Sequence, residues 1–168
     1  MTNVTTAAFK MDFSKSRLPN SDLSDAVLNE GKFDYSDLKD SDFRHADLRG
    51  SSFKGCNLEN AKFDGADLSG AVFRHSNLKG ASFANCKLDG ARLTGCDLSG
   101  VCFDRLTLTG TVFNHSQLKG ASFRNAVLRN VSFKTDVKKA VFDGASMDKA
   151  TYAILKGFKA NLDQVTVI

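Results

Sequence analysis

The chain has 168 residues, the length of a single domain, and a formal net charge of +4. No apolar run approaches the roughly 20 residues of a membrane-spanning helix, and the polar start MTNVTTAAFK lacks the apolar core of a secretion signal. Contact with a membrane is therefore not expected, and a cytoplasmic location is predicted.

Residues 1–10 precede a regular repeat, and we expect them to form a capping strand because an open solenoid end exposes backbone and apolar side chains. From Phe13 to Phe133 a large apolar residue returns every five positions, giving 25 centres that are all Leu or Phe. The residue two before a centre is usually small. The residue two after it is usually Gly, Asn or another residue that tolerates a positive φ, and ten of the thirteen glycines stand there.

A period of five fits neither an α-helix nor a long strand, so the chain must turn once in every repeat. The centre and the small residue point inward from a short extended segment, and the next two residues form a corner. Four corners close a square of about 20 residues, and coils stacked about 4.8 Å apart pair their backbone groups. The sequence thus predicts an all-β solenoid of roughly seven four-sided coils with a short C-terminal α-helix.

The centres alternate between Phe and Leu from Phe33 to Phe133, except at Leu93. With 20 residues per coil, this alternation places Phe in two opposed columns and Leu in the other two, which fills a narrow interior evenly. The core centres that this register predicts most firmly are Phe33, Leu38, Phe43, Leu48, Phe53, Leu58, Phe63, Leu68, Phe73, Leu78, Phe83 and Leu88.

The phrase A(D/N)LxG, seen in Asp67–Gly70, Asn77–Gly80 and Asp97–Gly100, resembles the pentapeptide-repeat family. The resemblance covers about residues 11–135 in one register and extends in part to about residue 152. It implies a right-handed quadrilateral β-helix, here over residues 1–152, that is commonly capped and sometimes dimeric. Residues 146–168 would then form a C-terminal helix and strand that serve as a cap or as a dimer seam.

The four cysteines fit a reduced protein. Cys56, Cys86 and Cys96 occupy small inward positions, whereas Cys102 occupies an outward one. Cys56 and Cys96 share a wall but lie two coils, or about 9.6 Å, apart, which exceeds the reach of a disulfide. We expect all four to be thiols without a metal or redox role.

Two positions depart from the repeat. Leu106 puts a large residue where a small one is usual, so the least regular geometry is expected there. At Lys138 a centre is missing, and the spacing resumes one residue out of step with Phe142, Met147 and Tyr152. This shift predicts an irregular corner near residues 135–139.

The C-terminal segment has a helical pattern that Ser146 or Asp148 could cap and Gly157 could end. Its apolar stripe consists of Met147, Ala150, Ile154, Leu155 and Phe158. The helix is predicted to cover the last coil, and the alternative is a homodimer seam in which Ile154, Leu155 and Phe158 make the contact. The tail after it is predicted to be a strand that pairs with the last coil or with a partner.

The sequence predicts no catalytic, cofactor-binding or metal-binding residues. His45, His75 and His115 each stand two residues after a centre, and the last two lie two coils apart in one corner column with Gly95 between them. Asp residues such as Asp42 and Asp47 stand just before centres, where they point outward and can bond the adjacent corner. An enzyme is therefore not expected.

Charge is distributed unevenly along the chain. Residues 85–168 carry 12 Lys and Arg against 7 Asp and Glu, whereas residues 1–84 carry 11 against 12. The basic side chains near the end that are predicted to meet an acidic partner are Arg124, Arg129, Lys134, Lys138 and Lys139. Binding of nucleic acid is not expected, because the Phe residues that could stack on bases point inward.

These features favour a non-catalytic structural scaffold or protein–protein interaction module whose flat walls present polar side chains to an unidentified protein partner. The resemblance implies one alternative, because some pentapeptide-repeat proteins imitate duplex DNA in shape and charge and protect type II topoisomerases such as gyrase. This chain departs from that pattern in its net charge of +4 and in its continuous repeat, which leaves no room for large projecting loops.

Overall fold

The computed structural model describes residues 11–168, in which the repeat winds into a four-sided β-solenoid of about six turns followed by one short helix. The predicted fold class is confirmed. Tyr152, which continues the spacing of the repeat in the sequence, lies in the helix and not in a further coil. The capping strand predicted for residues 1–10 lies outside the described residues.

Each side of a coil is a short extended segment that pairs in parallel with residues about 20 positions away, as Asp42 does with Lys62. The longer segments form two parallel sheets, with the orders β1-β2-β3 and β4-β5-β6-β7. The strands are β1 (Ser52–Lys54), β2 (Val72–Arg74), β3 (Arg92–Thr94), β4 (Thr107–Thr109), β5 (Val127–Arg129), β6 (Ser146–Met147) and β7 (Thr166–Val167).

We number the four walls by their inward centres. The first wall has Phe13, Phe33, Phe53, Phe73, Leu93, Phe113 and Phe133. The second wall has Leu18, Leu38, Leu58, Leu78, Leu98, Leu118 and Val137. The third wall has Leu23, Phe43, Phe63, Phe83, Phe103, Phe123 and Phe142. The fourth wall has Leu28, Leu48, Leu68, Leu88, Leu108, Leu128 and Met147.

The core is a line of stacked side chains between these walls, and every predicted centre from Phe33 to Leu88 is buried. Phe rings one coil apart stack with centroids between 4.8 and 5.3 Å, as for Phe33 with Phe53 and for Phe63 with Phe83. Rings of the first wall meet those of the third edge to face, at 5.8 Å for Phe43 with Phe53. The two opposed aromatic columns are therefore confirmed.

The corners require positive φ at the position two residues after each centre, and every such residue from Lys15 to Asn130 has one. Most bulky side chains avoid this conformation, so Tyr35, with φ of 61°, is unusual. Its ring lies over Gly55 of the next coil, where an added Cβ would be 2.7 Å from Tyr35 Cδ1. A large corner side chain is accommodated because the coil beside it has glycine.

Small polar residues in the interior are satisfied by bonds between coils. The hydroxyl of Ser76 donates to the carbonyl of Phe53 and accepts from the backbone N–H of Cys56 at 3.0 Å. Ser116 makes the same connection between Leu93 and Cys96. No buried side-chain nitrogen or oxygen among residues 11–168 lacks a hydrogen-bond partner.

The irregularity predicted at Leu106 is confirmed. Leu106 stacks below Cys86, and Val101 stacks below Ala81, so two small positions are filled by larger side chains at successive sides of one coil. In the described chain, the parallel bridges that the repeat requires between residues 82 and 102 and between residues 87 and 107 are missing there. The rings of Phe83 and Phe103 are also tilted by 27°, the largest angle in the stacked columns. The larger side chains therefore separate two coils locally.

The register shift predicted near Lys138 is also confirmed. Val137 takes the inward position one residue early and is fully buried, while Lys138 is exposed. From there the pairing interval falls to 19 residues, as in the bridge between Ser122 and Val141. One residue has been omitted from the corner, and the hydroxyl of Thr135 donates to the carbonyl of Ser116 at 2.6 Å across the gap.

The C-terminal helix α1 spans Lys149–Gly157 and is capped by Asp148, whose carboxylate accepts from the backbone N–H of Thr151 at 2.7 Å. Its buried residues are Thr151 and Leu155. The predicted stripe is therefore only partly correct, because Met147 belongs to β6 and Ala150 is exposed. Strand β7 adds to β6 in parallel, so the tail pairs with the last coil as one of the two predicted options.

Candidate interaction surface

Several carboxylates of the walls have structural partners. Asp42 accepts from the backbone and guanidinium N–H groups of Arg44, and those bonds hold the pKa of Asp42 below its usual value. Asp47 and Arg49 form the same pair, with Nη2 and Oδ2 2.6 Å apart. These carboxylates fix the corners that follow them, as the sequence predicted.

The structure does not bring the histidines together. His75 lies over Gly95, so one coil separates it from His115, and His45 occupies a corner of the third wall. Within residues 11–168, no three His, Cys, Asp or Glu side chains are grouped so that they could hold a metal ion. No helix in the same range is both long and apolar enough to cross a bilayer.

Thiol labelling is expected to modify one cysteine per folded molecule. Burial raises the pKa of Cys56 and Cys96 to about 11 and that of Cys86 to about 12, whereas Cys102 is exposed. At about pH 8 the three buried groups stay protonated and unreactive. Intact mass after iodoacetamide treatment should show a single adduct, and unfolding in guanidinium should give four.

A Cys102→Ser variant provides the control, since it should show no adduct while folded. Two or more adducts on the folded wild-type chain would contradict the assignment of Cys56, Cys86 and Cys96 to the interior.

The basic residues predicted as an interaction surface do not form one patch. Arg124 follows a centre of the third wall, Arg129 one of the fourth and Lys134 one of the first, while Lys138 and Lys139 follow the second wall. All five are exposed, and they encircle the last coils. Arg124, Lys138 and Lys139 share a shallow depression, where the Arg124 guanidinium is 3.6 Å from a carboxylate oxygen of Asp143.

The three apolar residues predicted for the C-terminal contact also separate. Leu155 is completely buried against the last coil, Ile154 is half-buried, and Phe158 is 40% exposed. The backbone N–H of Val131 donates to the hydroxyl of Thr151 at 3.1 Å, which ties the helix to the coil beneath it. The helix therefore covers the end of the solenoid, and Ile154 and Phe158 remain for contact with another molecule.

The first wall has the largest net positive charge of the four. Its outward and corner positions carry two acidic residues, Asp12 and Asp34, against six basic ones. The basic residues are Lys15, Lys32, Lys54, Arg74, Arg92 and Lys134. The opposite third wall has the reverse balance, with six acidic residues against four basic ones. The solenoid thus has a positive side and a weakly negative side across its width.

The middle of the first wall also contains a groove. About 490 Å³ of space lies along β1, β2 and β3, lined by Lys54, Val72, Arg74, Arg92, Thr94, Val112, Asn114 and His115. A second depression of about 220 Å³ shares Lys54 and Arg74 with it and continues to Tyr35, Gly55 and His75. The groove therefore runs over several coils from Tyr35 to His115.

Sequence reasoning missed this surface because its residues are distant along the chain. Lys54, Arg74 and Arg92 are separated by 20 and 18 residues, so no charge run marks them. The available signal was the 20-residue period, because placing the outward positions on the four walls reveals the imbalance.

A family model described as pentapeptide repeat region matches residues 5–73 and 56–133 of the chain. No curated protein sequence matches it. Among solved structures, a pentapeptide repeat protein from the Arabidopsis thaliana thylakoid lumen is 29% identical, with a TM-score of 0.53. The match covers 54% of this chain and 63% of that protein, which is less than two thirds of its length.

Two further structures match over most of their length. HetL, a pentapeptide repeat protein involved in heterocyst differentiation regulation in the cyanobacterium Nostoc, is 22% identical with a TM-score of 0.59, over 82% of this chain and 74% of its own. QnrB1, a plasmid-mediated fluoroquinolone resistance protein, is 23% identical with a TM-score of 0.54, over 88% and 86%. At these identities both structures show similarity of fold alone.

Proposed function

The chain belongs to the pentapeptide repeat family, and on that premise we propose that it is a non-catalytic scaffold that binds a protein partner through outward side chains of its walls. Proteins of this family are generally non-catalytic structural or interaction proteins. The observation that carries the proposal is the complete use of the inward positions for the core, which leaves only the outward positions free to differ from coil to coil.

The walls suit this role physically. Their backbone is fixed by parallel pairing between coils, so an outward side chain loses little further freedom when a partner binds. A rigid surface of this kind presents side chains at constant spacing, which favours a specific contact over catalysis. We also place the protein in the cytoplasm, where the free thiols of Cys56, Cys86, Cys96 and Cys102 would stay reduced.

Capture on walls altered one at a time tests the function. In each of four variants, the exposed charged residues of one wall between residues 52 and 115 are replaced by Ser, while half-buried carboxylates such as Asp64 are left in place. The immobilised proteins are then exposed to extract of the source cell. One wall variant is expected to lose a protein that the wild type and the other three retain. All four should melt near the wild-type temperature, because exposed substitutions change stability by less than about 0.5 kcal/mol.

Equal retention by all four variants, or by heat-unfolded protein, would contradict a wall-specific partner.

The same purified protein serves to examine DNA mimicry of a type II topoisomerase. Its charge argues against that role, because the acidic residues of the third wall are interspersed with Arg44, Lys62, Arg105 and Arg124 and form no continuous acidic stripe. Inhibition of gyrase supercoiling would support mimicry instead.

A homodimer is a further part of the proposal. The partly exposed Ile154 and Phe158, together with Val167 and Ile168 at the edge of the last sheet, supply an apolar surface at one end of the solenoid. Strand β7 is also the outermost strand of its sheet in the described chain. A second copy could cover this end without occupying the walls.

A further inference from the structure

We propose that the groove of the first wall, from Tyr35 to His115, binds an extended acidic segment of a protein partner. The proposal rests on the function proposed above and specifies the wall and the chemistry of the partner. It is based on two guanidinium groups without counter-ions, on the side chains beside them, and on the direction of the groove. The third cation of the groove, Lys54, is 3.8 Å from a carboxylate oxygen of Asp34.

The first observation concerns ion pairing. Arg44 on the third wall and Arg49 on the fourth are paired with Asp42 and Asp47, both at 2.6 Å. Three other guanidinium groups outside the first wall, those of Arg17, Arg105 and Arg129, form no ion pair among the described residues. Among residues 11–168, neither Arg74 nor Arg92 forms an ion pair. Both guanidinium groups are exposed and line the same groove.

The repeat explains this difference. Arg44 and Arg49 follow their centres by one residue, and an Asp precedes each of those centres by one, so the repeat supplies its own counter-ion. Arg74 has the same position, but Val72 stands where the Asp would be. Arg92 itself occupies that position in the next coil and is paired in the sheet with Val72. The missing carboxylates must come from a ligand if these cations are to be neutralised.

The second observation concerns the side chains around the cations. Tyr35 is 66% exposed at one end of the groove. Tyr and Arg dominate the energetics of protein interfaces. Val72 and Val112 add apolar surface to the floor between the cations. This mixture suits a protein segment that carries both carboxylates and apolar groups.

The third observation is the direction of the groove. Lys54 and Arg74 occupy equivalent positions in successive coils, so they repeat at about the strand spacing of 4.8 Å along the solenoid axis. An extended peptide presents one face every second residue, about 6.8 Å apart. Two carboxylates of such a segment are therefore about 2 Å further apart than the cations of successive coils, a difference that the long Lys and Arg side chains can take up. Each can accept a forked pair of hydrogen bonds from a guanidinium group.

Nucleic acid fits this surface less well. The groove from Tyr35 to His115 offers three cations, Lys54, Arg74 and Arg92, whereas strong binding to duplex phosphates commonly uses roughly six to ten contacts. Stacking of successive bases also needs a row of aromatic side chains, and Tyr35 is the aromatic residue on the exterior of this wall. A protein segment is therefore the occupant that the wall favours.

The test uses a fluorescent ten-residue peptide of alternating Glu and Thr, its Gln–Thr counterpart and a short DNA duplex, each titrated with the full chain and followed by anisotropy. The Glu peptide is expected to bind and the Gln peptide not to. The double variant Arg74→Ser with Arg92→Ser should weaken binding by about tenfold, the loss expected for two exposed ion pairs.

The matched control is Arg44→Ser with Arg49→Ser, which removes the same charge from other walls and should change affinity by less than about twofold. Thermal melts of both variants establish that they are folded. Three results would each overturn the proposal: equal weakening by the two variants, tighter binding to the duplex, or no binding of the Glu peptide at about 1 mM. A dissociation constant of about 1 mM corresponds to a binding free energy of only about 4 kcal/mol. Capture of a partner by a wall other than the first would support the proposed function and refute this inference.

Discussion

Replacing Phe83 by Asp is expected to abolish the folded state. Phe83 is 1% exposed and stacks on Phe63 and Phe103, each at 5.3 Å. Removing a buried aromatic ring costs about 3–5 kcal/mol, and an unpaired carboxylate in the same place adds its desolvation. The sum approaches the whole stability of an ordinary domain, about 5–15 kcal/mol. Far-ultraviolet circular dichroism should show no cooperative melting transition.

Two controls separate burial from a general effect of substitution. Phe83→Leu should retain the fold, because Leu93 already replaces Phe in the column between Phe73 and Phe113. Arg74→Ser alters an exposed side chain and should change stability by less than about 0.5 kcal/mol. Similar losses for Phe83→Asp and Arg74→Ser would contradict the division into inward and outward positions.

Replacing Leu155 by Asp is expected to detach the C-terminal helix and strongly destabilise the last coils. Leu155 is completely buried, and its helix is held by the bond between Val131 and Thr151. Truncating a buried Leu costs about 2–5 kcal/mol, and a charge at this place prevents the helix from covering the apolar end. The melting temperature should fall by about 5–20 °C, since each kcal/mol corresponds to about 2–4 °C in a chain of this length.

Phe158→Asp is the matched variant, because the change is similar but the side chain is 40% exposed. It should leave the melting temperature of a monomer nearly unchanged. Light scattering then distinguishes a cap from a dimer seam, since a dimer joined through the helix should dissociate in Phe158→Asp. A stable Leu155→Asp protein would show that the helix does not protect the core.

The fold could be predicted closely because every repeat has the same local pattern of residue types. The centres, the small inward positions and the positive φ of the corners from Lys15 to Asn130 all follow from residues within five positions of each other. The departures at Leu106 and Lys138 were visible for the same reason, since a regular pattern makes each exception stand out. The helix was less well predicted: its stripe included Met147 and Ala150, although α1 begins at Lys149 and turns Thr151 and Leu155 inward.

The candidate surface was much less accessible to sequence reasoning. Arg124, Arg129 and Lys134 are close in sequence, but successive repeats face different walls, so the chain distributes them around the coil. Conversely, Lys54, Arg74 and Arg92 are distant in sequence and share one groove. In a solenoid with a turn every five residues, proximity along the chain does not indicate proximity on the surface.

The sequence by itself therefore determined the period, the corners and the core, because these depend on local residue size and backbone freedom. Only the tertiary structure decided which charges share a surface, since residues about 20 positions apart meet on one wall. It also decided that Leu155 turns inward and Phe158 outward, because the direction of α1 over the last coil is fixed by contacts with residues such as Val131. The regular repeat specifies the solenoid, and the stacking of its coils determines which outward side chains lie next to each other.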